Sequence, residues 1–129
     1  MNPVVHFEMP YTDGKRVKKF YEAVFGWKTE QLGAEMGDYI LVVTAERDVK
    51  AEAPRGAING GLFPYKPEWP DQYPSVVIGV KNIKETMKKV TDNGGEVLGD
   101  PMEIPGTGLY ASFRDTEGNR NSILQPMEM

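Results

Sequence analysis

A proline-rich segment in the middle of the chain constrains the fold most, because the predicted elements on its two sides occur in the same order. The segment FPYKPEWPDQYP, residues 63–74, contains four prolines. Proline lacks a backbone donor and its ring obstructs the preceding helical turn, so neither a continuous helix nor a central strand fits there. We therefore predict a linker over residues 65–74, between module one at about residues 3–64 and module two at about residues 75–126.

Module one begins with a predicted strand, Val4–Met9, which is rich in β-branched and aromatic residues. A helix follows, because apolar residues recur at i, i+3, i+4 and i+7 and basic residues occupy the other positions. We expect this apolar face to be buried against the sheet; it consists of Val17, Phe20, Tyr21 and Val24. Three further predicted strands complete a β-α-β-β-β order, at Trp27–Leu32, Asp38–Thr44 and Ala57–Phe63.

Module two repeats this order, from a predicted strand at Ser75–Val80. Asn82 and Glu85 have the spacing of a helix-capping pair, and Asn93-Gly94-Gly95 predicts the end of the helix. The apolar face of this helix consists of Ile83, Met87 and Val90, and the later strands are predicted at Glu96–Gly99, Gly108–Phe113 and Asn121–Gln125.

The predicted fold class is therefore α+β, with two βαβββ modules in tandem within a single domain, residues 1–129. Each module has a four-stranded mixed sheet with one helix on its outer face. The other faces must also be covered, so we expect the paired sheets to surround a cleft. Concave surfaces of this kind are where small ligands bind.

Composition excludes several classes of function. Fifteen basic against 19 acidic residues give a net charge of −4, which disfavours non-specific binding to nucleic acid. The absence of cysteine rules out disulfides and thiolate sites. No apolar run is long enough to span a membrane and no secretory signal is seen, so we expect a cytoplasmic protein without a membrane partner.

Two motifs resemble those of a known family. They are VVHFEMPYTDGKRVKKFYEAVFGW, residues 4–27, and DTEGN, residues 115–119. The chain resembles the vicinal oxygen chelate superfamily, which includes glyoxalase I, bleomycin-resistance proteins and extradiol dioxygenases. The motifs are specific for the fold and not for a reaction. The resemblance also implies a homodimer.

The resemblance further implies four metal-ligand positions, two from each module, which in this chain correspond to His6, Gly60, Ser75 and Ser122. One imidazole, a glycine and two hydroxyls are too few donors for a divalent transition metal. Glu8 shares a strand face with His6 and adds one carboxylate. Shifting the alignment by one residue brings in Asn59 or Asn121, which are also weak ligands. We therefore predict no metal cofactor, with a divalent metal as the alternative.

Several interpretations of the candidate residues remain open. His6 is either an acid–base or hydrogen-bonding group paired with Glu8, or a strand histidine satisfied by a backbone carbonyl or water. No serine lies in a nucleophile elbow. Trp69 in the linker and the strand tyrosines, Tyr39 and Tyr110, are suited to stacking on a planar ligand, or are ordinary core or interface residues.

We therefore expect a metal-free protein that binds a small organic molecule, in a cleft lined by His6, Glu8, Asn59, Trp69, Ser75, Tyr110 and Ser122. The alternative is a metal-dependent lyase, isomerase or dioxygenase acting on a small oxygenated substrate, with His6 and Glu8 as ligands or as an acid–base pair. A third interpretation is a structural module whose cleft is filled by its own side chains.

Overall fold

The computed structural model describes residues 1–45 and 57–127, and the chain divides into two units. The first unit is His6–Pro74, and the second combines Met1–Val5 with Ser75–Met129. Each unit is built around its own mixed sheet and one α-helix. Among the described residues, neither helix has the length and apolar character that crossing a lipid bilayer requires.

The first unit contains a sheet with the strand order β2-β3-β4-β1. Strand β1 is parallel to β4, while β3 is antiparallel to both β4 and β2. A 3₁₀ turn at Ala34–Met36 connects β2 to β3. The elements are β1 (Val4–Tyr11), α1 (Gly14–Phe25), β2 (Lys28–Gln31), β3 (Ile40–Val43) and β4 (Gly60–Pro64).

The core of this unit lies on the sheet face that α1 covers. It is formed by Ile40, Val42 and Leu62, of which none is more than 1% exposed. Val17 of α1 and Phe7 of β1 pack against this cluster. Because side chains alternate along a strand, His6 and Glu8 lie on the opposite face from Phe7.

The prediction that Phe20 lies on a buried helix face was wrong. Phe20 is 53% exposed and Val24 is 56% exposed, whereas Val17 and Tyr21 are half-buried. Val17 is the helix residue that packs against the core cluster, and the Phe20 ring instead contacts the ring of Tyr21, with centroids 5.1 Å apart. The helix ends at Gly26, whose φ of 70° is left-handed.

The second unit has the strand order β5-β9-β8-β6, with β7 also paired to β8. Strands β5 and β9 are parallel, and the pairings with β8 are antiparallel. The sequence prediction missed β7, a three-residue strand without a run of β-branched residues. The elements are β5 (Ser75–Gly79), α2 (Ile83–Asp92), β6 (Glu96–Val97), β7 (Met102–Ile104), β8 (Gly108–Arg114) and β9 (Arg120–Pro126).

The core of the second unit also lies beneath its helix. It consists of Val80, Ile83, Ala111 and Ile123, all at most 4% exposed. Helix α2 begins at the predicted cap, where Asn82 Oδ1 accepts a hydrogen bond from the Glu85 backbone N–H at 3.0 Å. The predicted apolar face of this helix is confirmed, since Ile83 is buried and Met87 packs against the core. The α+β class is also confirmed, and the tandem modules follow the predicted order with β7 as an additional strand in the second.

The DTEGN segment forms the turn before β9. Asp115 Oδ1 accepts hydrogen bonds from the backbone N–H groups of Glu117 and Asn119, and Gly118 adopts a φ of 85°. Hydrogen bonds from the side chain and backbone of Asn119 stabilise the carboxylate and lower the pKa of Asp115. The role of this motif within the second unit is therefore to hold the turn between β8 and β9.

Candidate functional site

A hydrogen-bonded cluster of His6, Tyr39 and Glu8 occupies the face of the first sheet opposite its helix. His6 Nε2 lies 2.9 Å from the Tyr39 hydroxyl oxygen, and that hydroxyl donates to Glu8 Oε2 at 2.9 Å. A phenol has one proton to donate, so the Tyr39 oxygen accepts from His6. This arrangement assigns a proton to Nε2 of the imidazole.

Two opposing effects act on His6. Burial of the ring lowers the pKa of His6 below its usual value of 6.5, and the negative charge of Glu8 partly offsets this by raising it. Burial has the larger effect, so the pKa of His6 lies below 6.5. His6 is therefore a neutral hydrogen-bonding group at neutral pH and becomes charged only in more acidic solution.

Gly61 provides the space in which Tyr39 lies. A Cβ atom at Gly61 would be 1.9 Å from the Tyr39 hydroxyl oxygen and 2.0 Å from Cζ of the same ring. Real Cβ atoms do not approach other heavy atoms this closely, so any side chain at Gly61 would displace Tyr39. The absence of a side chain at residue 61 is thus a condition for the His6–Tyr39–Glu8 cluster.

This geometry corrects the alignment that grouped Gly60 with His6. In the parallel pairing of β1 with β4, Phe7 is opposite Gly60 and Glu8 is opposite Gly61. A Cβ at Gly60 would meet the Phe7 ring at 2.6 Å, on the helix-covered face. The sequence alignment had placed this metal-ligand position one residue too early, at Gly60 instead of Gly61. The residue that shares the face of His6 is Gly61, which also offers no ligand.

A second polar cluster lies on the face of the second sheet opposite its helix. The Tyr110 hydroxyl is 2.6 Å from Ser122 Oγ, which is 3.1 Å from Ser112 Oγ. Arg120 Nη2 donates to Ser112 Oγ at 3.2 Å. Ser112 and Ser122 pair directly across β8 and β9 and are only 7% and 4% exposed. Tyr110 and Ser122 were predicted site residues, and the structure brings them together.

The remaining predicted residues have local roles in their own units. Asn59 Oδ1 accepts from the backbone N–H groups of Thr44 and Ala45, at 2.7 and 2.9 Å, and so fixes the chain after β3. Trp69 is 57% exposed, with Lys66 Nζ 4.4 Å from its ring centroid.

Ser75 lies at the start of β5 and is half-buried. Val77 pairs with Ser122, so strand alternation places Ser75 on the same face as Ser122.

Neither unit by itself offers a set of donors that fits the family's divalent metal. In the first unit, His6 and Glu8 have suitable ligand atoms, but both are hydrogen-bonded to the Tyr39 hydroxyl and Gly61 supplies nothing. In the second unit the corresponding residues are neutral serines. Over residues 1–45 and 57–127, no group of three or more His, Asp or Glu side chains is arranged to hold a metal.

Four residues of these clusters were not predicted as site residues: Tyr39, Gly61, Ser112 and Arg120. For two of them the sequence carried a usable signal. Ser112 lies two residues after Tyr110 and Arg120 lies two residues before Ser122, so the period of two places each pair on one strand face. Tyr39 and Gly61 gave no such signal, because their contact depends on the register between strands.

Comparisons with known proteins agree with this fold. Residues 4–123 match the family described as the Glyoxalase/Bleomycin resistance protein/Dioxygenase superfamily. A glyoxylase-like domain-containing protein of Didymella fabae is 32% identical over 119 residues, which cover 90% of this chain and 88% of the relative. A protein of Mycobacterium bovis named as a candidate glyoxylase, CFP32, is 28% identical over 107 residues; the match covers 83% of this chain but only 38% of that protein.

Solved structures share the fold at low sequence identity. A hypothetical protein of Bacillus halodurans C-125 has a TM-score of 0.70 and 19% identity, covering 99% of this chain and 96% of its own. The methylmalonyl-CoA epimerase of Mycobacterium tuberculosis has a TM-score of 0.70 and 11% identity, covering 97% and 88%. The family match, which includes both polar clusters, shows that the chain belongs to the Glyoxalase/Bleomycin resistance protein/Dioxygenase superfamily.

Proposed function

We propose that this chain is a small-molecule binding protein of the superfamily that works without a bound metal ion. The observation that supports the proposal is the position of the Tyr39 hydroxyl, which is hydrogen-bonded to both His6 and Glu8. The residues proposed to contact the ligand are His6, Glu8, Asn59, Trp69, Ser75, Tyr110 and Ser122.

The Tyr39 contacts oppose metal binding by the first unit. A metal needs the lone pair of an imidazole nitrogen, but Nε2 of His6 carries the proton that it donates to Tyr39. Binding through Nε2 would require moving that proton and displacing the Tyr39 ring from Gly61. The same polar groups are suited to hydrogen bonding with the oxygen or nitrogen atoms of an organic ligand.

Metal analysis of the untagged protein tests the first half of the proposal. We expect only trace metal in the purified protein and no stoichiometric binding in titrations with Ni²⁺, Zn²⁺ and Fe²⁺. His6→Ala and Glu8→Gln should behave like the wild type in these titrations. Tight binding of one ion per chain that is lost in both variants would overturn the proposal.

Thermal-shift screening with metabolites and aromatic compounds tests the second half. A ligand present at about 100 times its dissociation constant stabilises the folded state by about 2.7 kcal/mol. We expect at least one such ligand, with a smaller shift for Ser122→Ala than for the control Lys88→Ala. The exposed side chain of Lys88 pairs with Asp92 on helix α2. A library in which no compound shifts the melting temperature would contradict ligand binding.

The second candidate function is a metal-dependent lyase, isomerase or dioxygenase acting on a small oxygenated substrate. It is favoured by one observation, the presence of an imidazole and a carboxylate two residues apart on one strand face. Methylmalonyl-CoA epimerases are among the proteins that share the fold, at 11–16% identity. Under this alternative, the metal titrations above would give stoichiometric binding that depends on His6 and Glu8.

We also propose that the chain forms a homodimer. The proposal is based on the family resemblance, and the exposure of large apolar side chains such as Phe20, Val24 and Phe25 is compatible with it. Light scattering coupled to gel filtration should give twice the chain mass of 14.4 kDa. A mass of one chain at micromolar concentration would exclude the dimer.

A further inference from the structure

We propose that Arg120 binds an oxyanion of the ligand, a carboxylate or a phosphate ester, beside the hydroxyl groups of Ser112, Ser122 and Tyr110. This inference rests on the proposed function, because it names the chemical class of the small molecule. It adds two residues, Arg120 and Ser112, to those proposed to form the site.

The guanidinium of Arg120 has more donors than its own unit uses. It carries five N–H groups, and within the part of the chain that the structure describes it makes one hydrogen bond, to Ser112 Oγ at 3.2 Å, and no ion pair with a carboxylate. Arg120 is half-buried, so the guanidinium is partly withdrawn from water. A planar guanidinium pairs with carboxylate or phosphate through two parallel hydrogen bonds.

The local charge also favours an anion. Arg120 pairs directly with Arg114 across β8 and β9, so both side chains lie on the same sheet face. Like charges directly across a ladder are destabilising. Arg114 forms an ion pair with Glu96 at 3.1 Å, whereas Arg120 makes no ion pair with a carboxylate among the described residues. An anionic ligand at Arg120 would balance its positive charge.

The hydroxyl groups hold Arg120 in position. Ser112, which accepts the hydrogen bond from Arg120, is 7% exposed and is itself bonded to Ser122, which is 4% exposed. Ser122 is in turn bonded to Tyr110. A guanidinium anchored through buried serines loses less conformational freedom when it binds a ligand. The serines also place polar groups beside the guanidinium.

Matched probes that differ in one group test this inference. Isothermal titration is carried out with benzoate, phenyl phosphate and benzamide, where benzamide has the shape of benzoate without its charge. We expect at least one of the two anions to bind, and benzamide to bind about tenfold more weakly or not at all, because a charged acceptor makes the stronger hydrogen bonds.

Variants of the two arginines separate the site from a general charge effect. Arg120→Gln should weaken binding of the anion about tenfold or more, and Arg120→Lys should weaken it less because charge remains while the planar fork is lost. Arg114→Gln removes the same charge from the paired position and should change the affinity by less than about threefold, because the Arg114 guanidinium is already engaged with Glu96. Circular dichroism and melting temperatures establish that each variant is folded.

Several results would overturn the inference. They are equal affinity for benzamide and for the anions, unchanged anion binding in Arg120→Gln, an equal loss in Arg114→Gln, or no binding of either anion. The proposed function is judged separately. If neutral compounds bind equally well with and without Arg120, the inference about Arg120 fails but the small-molecule binding function stands. If Arg120→Gln abolishes anion binding in a protein that also holds a stoichiometric metal ion, the metal-free function fails but the inference about Arg120 stands.

Discussion

The Tyr39 hydroxyl controls the hydrogen bonding of the two titratable groups beside it. It accepts from His6 and donates to Glu8, each at 2.9 Å, so both groups are linked through one oxygen atom. Burial lowers the pKa of His6 while the charge of Glu8 raises it. The effects of burial and of the Glu8 charge on this pKa can be measured without ambiguity, because His6 is the only histidine in the chain.

Glu8→Gln should lower the pKa of His6 below its value in the wild type. The substitution removes the negative charge that favours the imidazolium and leaves the larger effect of burial in place. A nuclear magnetic resonance titration of the single imidazole measures the change directly. Glu30→Gln, which removes a carboxylate from an exposed residue of β2, is the control and should leave the titration unaltered. An unchanged or higher pKa in Glu8→Gln would show that Glu8 does not act on His6 as described.

Gly61→Ala should destabilise the fold by about 1–3 kcal/mol, the usual cost of forcing an added methyl group into occupied space. The new Cβ would overlap the Tyr39 ring, with its nearest atom 1.9 Å away. Urea denaturation measures the free energy of unfolding. In a Tyr39→Ser background, which removes the ring, the same substitution should cost much less. Equal costs in the two backgrounds would mean that Tyr39 does not lie over Gly61.

At the scale of elements, each helix is delimited by interactions that its own sequence supplies. Helix α1 begins where Asp13 Oδ1 accepts from the Arg16 N–H and ends at the left-handed Gly26. Helix α2 begins with the corresponding contact from Asn82. These caps satisfy backbone donors that have no partner within the helix, so the helix bounds are local properties of the chain.

Asn82→Ala should lower the free energy of unfolding by about 1 kcal/mol, since alanine cannot accept the hydrogen bond from the Glu85 N–H. Asn82→Asp is the matched control, because aspartate is an equally good cap and its charge interacts favourably with the helix N-terminus. Chemical denaturation of the two variants gives the comparison. A loss in Asn82→Asp as large as that in Asn82→Ala would contradict the capping role.

At the scale of the whole molecule, the buried imidazole makes stability depend on pH. The pKa of His6 is lower in the folded protein than its ordinary value of 6.5, which applies to the unfolded chain. Below pH 6.5 the unfolded chain therefore binds more protons than the folded protein, so the free energy of unfolding decreases as the pH is lowered. The decrease ends once His6 is protonated in the folded protein as well. The stabilising effect of a neutral His6 is complete only above pH 6.5.

We accordingly expect the free energy of unfolding to decrease as the pH is lowered from 7 through the ordinary imidazole pKa of 6.5 and below, and to decrease less in His6→Gln. Urea denaturation at a series of pH values measures both proteins. Asp115, whose pKa is also lowered, loses its charge in still more acidic solution in both proteins, so the difference between them isolates His6. Parallel pH profiles would refute a neutral, buried His6.

The sequence was sufficient for features that depend on neighbouring residues along the chain. The apolar spacing of α2, its Asn82 cap and the repeated order of elements, apart from the short strand β7, were predicted correctly, because each follows from local periodicity or local hydrogen bonding. The separation of His6 from Phe7 onto opposite faces follows in the same way from alternation along one strand. The shortage of metal ligands at the predicted positions could likewise be read from residue types alone.

Only the tertiary structure decided which of these residues meet. Phe20 has the right spacing for a buried face, but the contacts available to α1 leave it exposed. Gly61 rather than Gly60 shares the sheet face of His6 because the β1–β4 register determines which residues lie opposite each other. The Tyr39 bridge and the Arg120–Ser112 contact depend on pairing between segments distant in the chain, and a shift of one residue in that pairing would turn each side chain to the other face of its sheet.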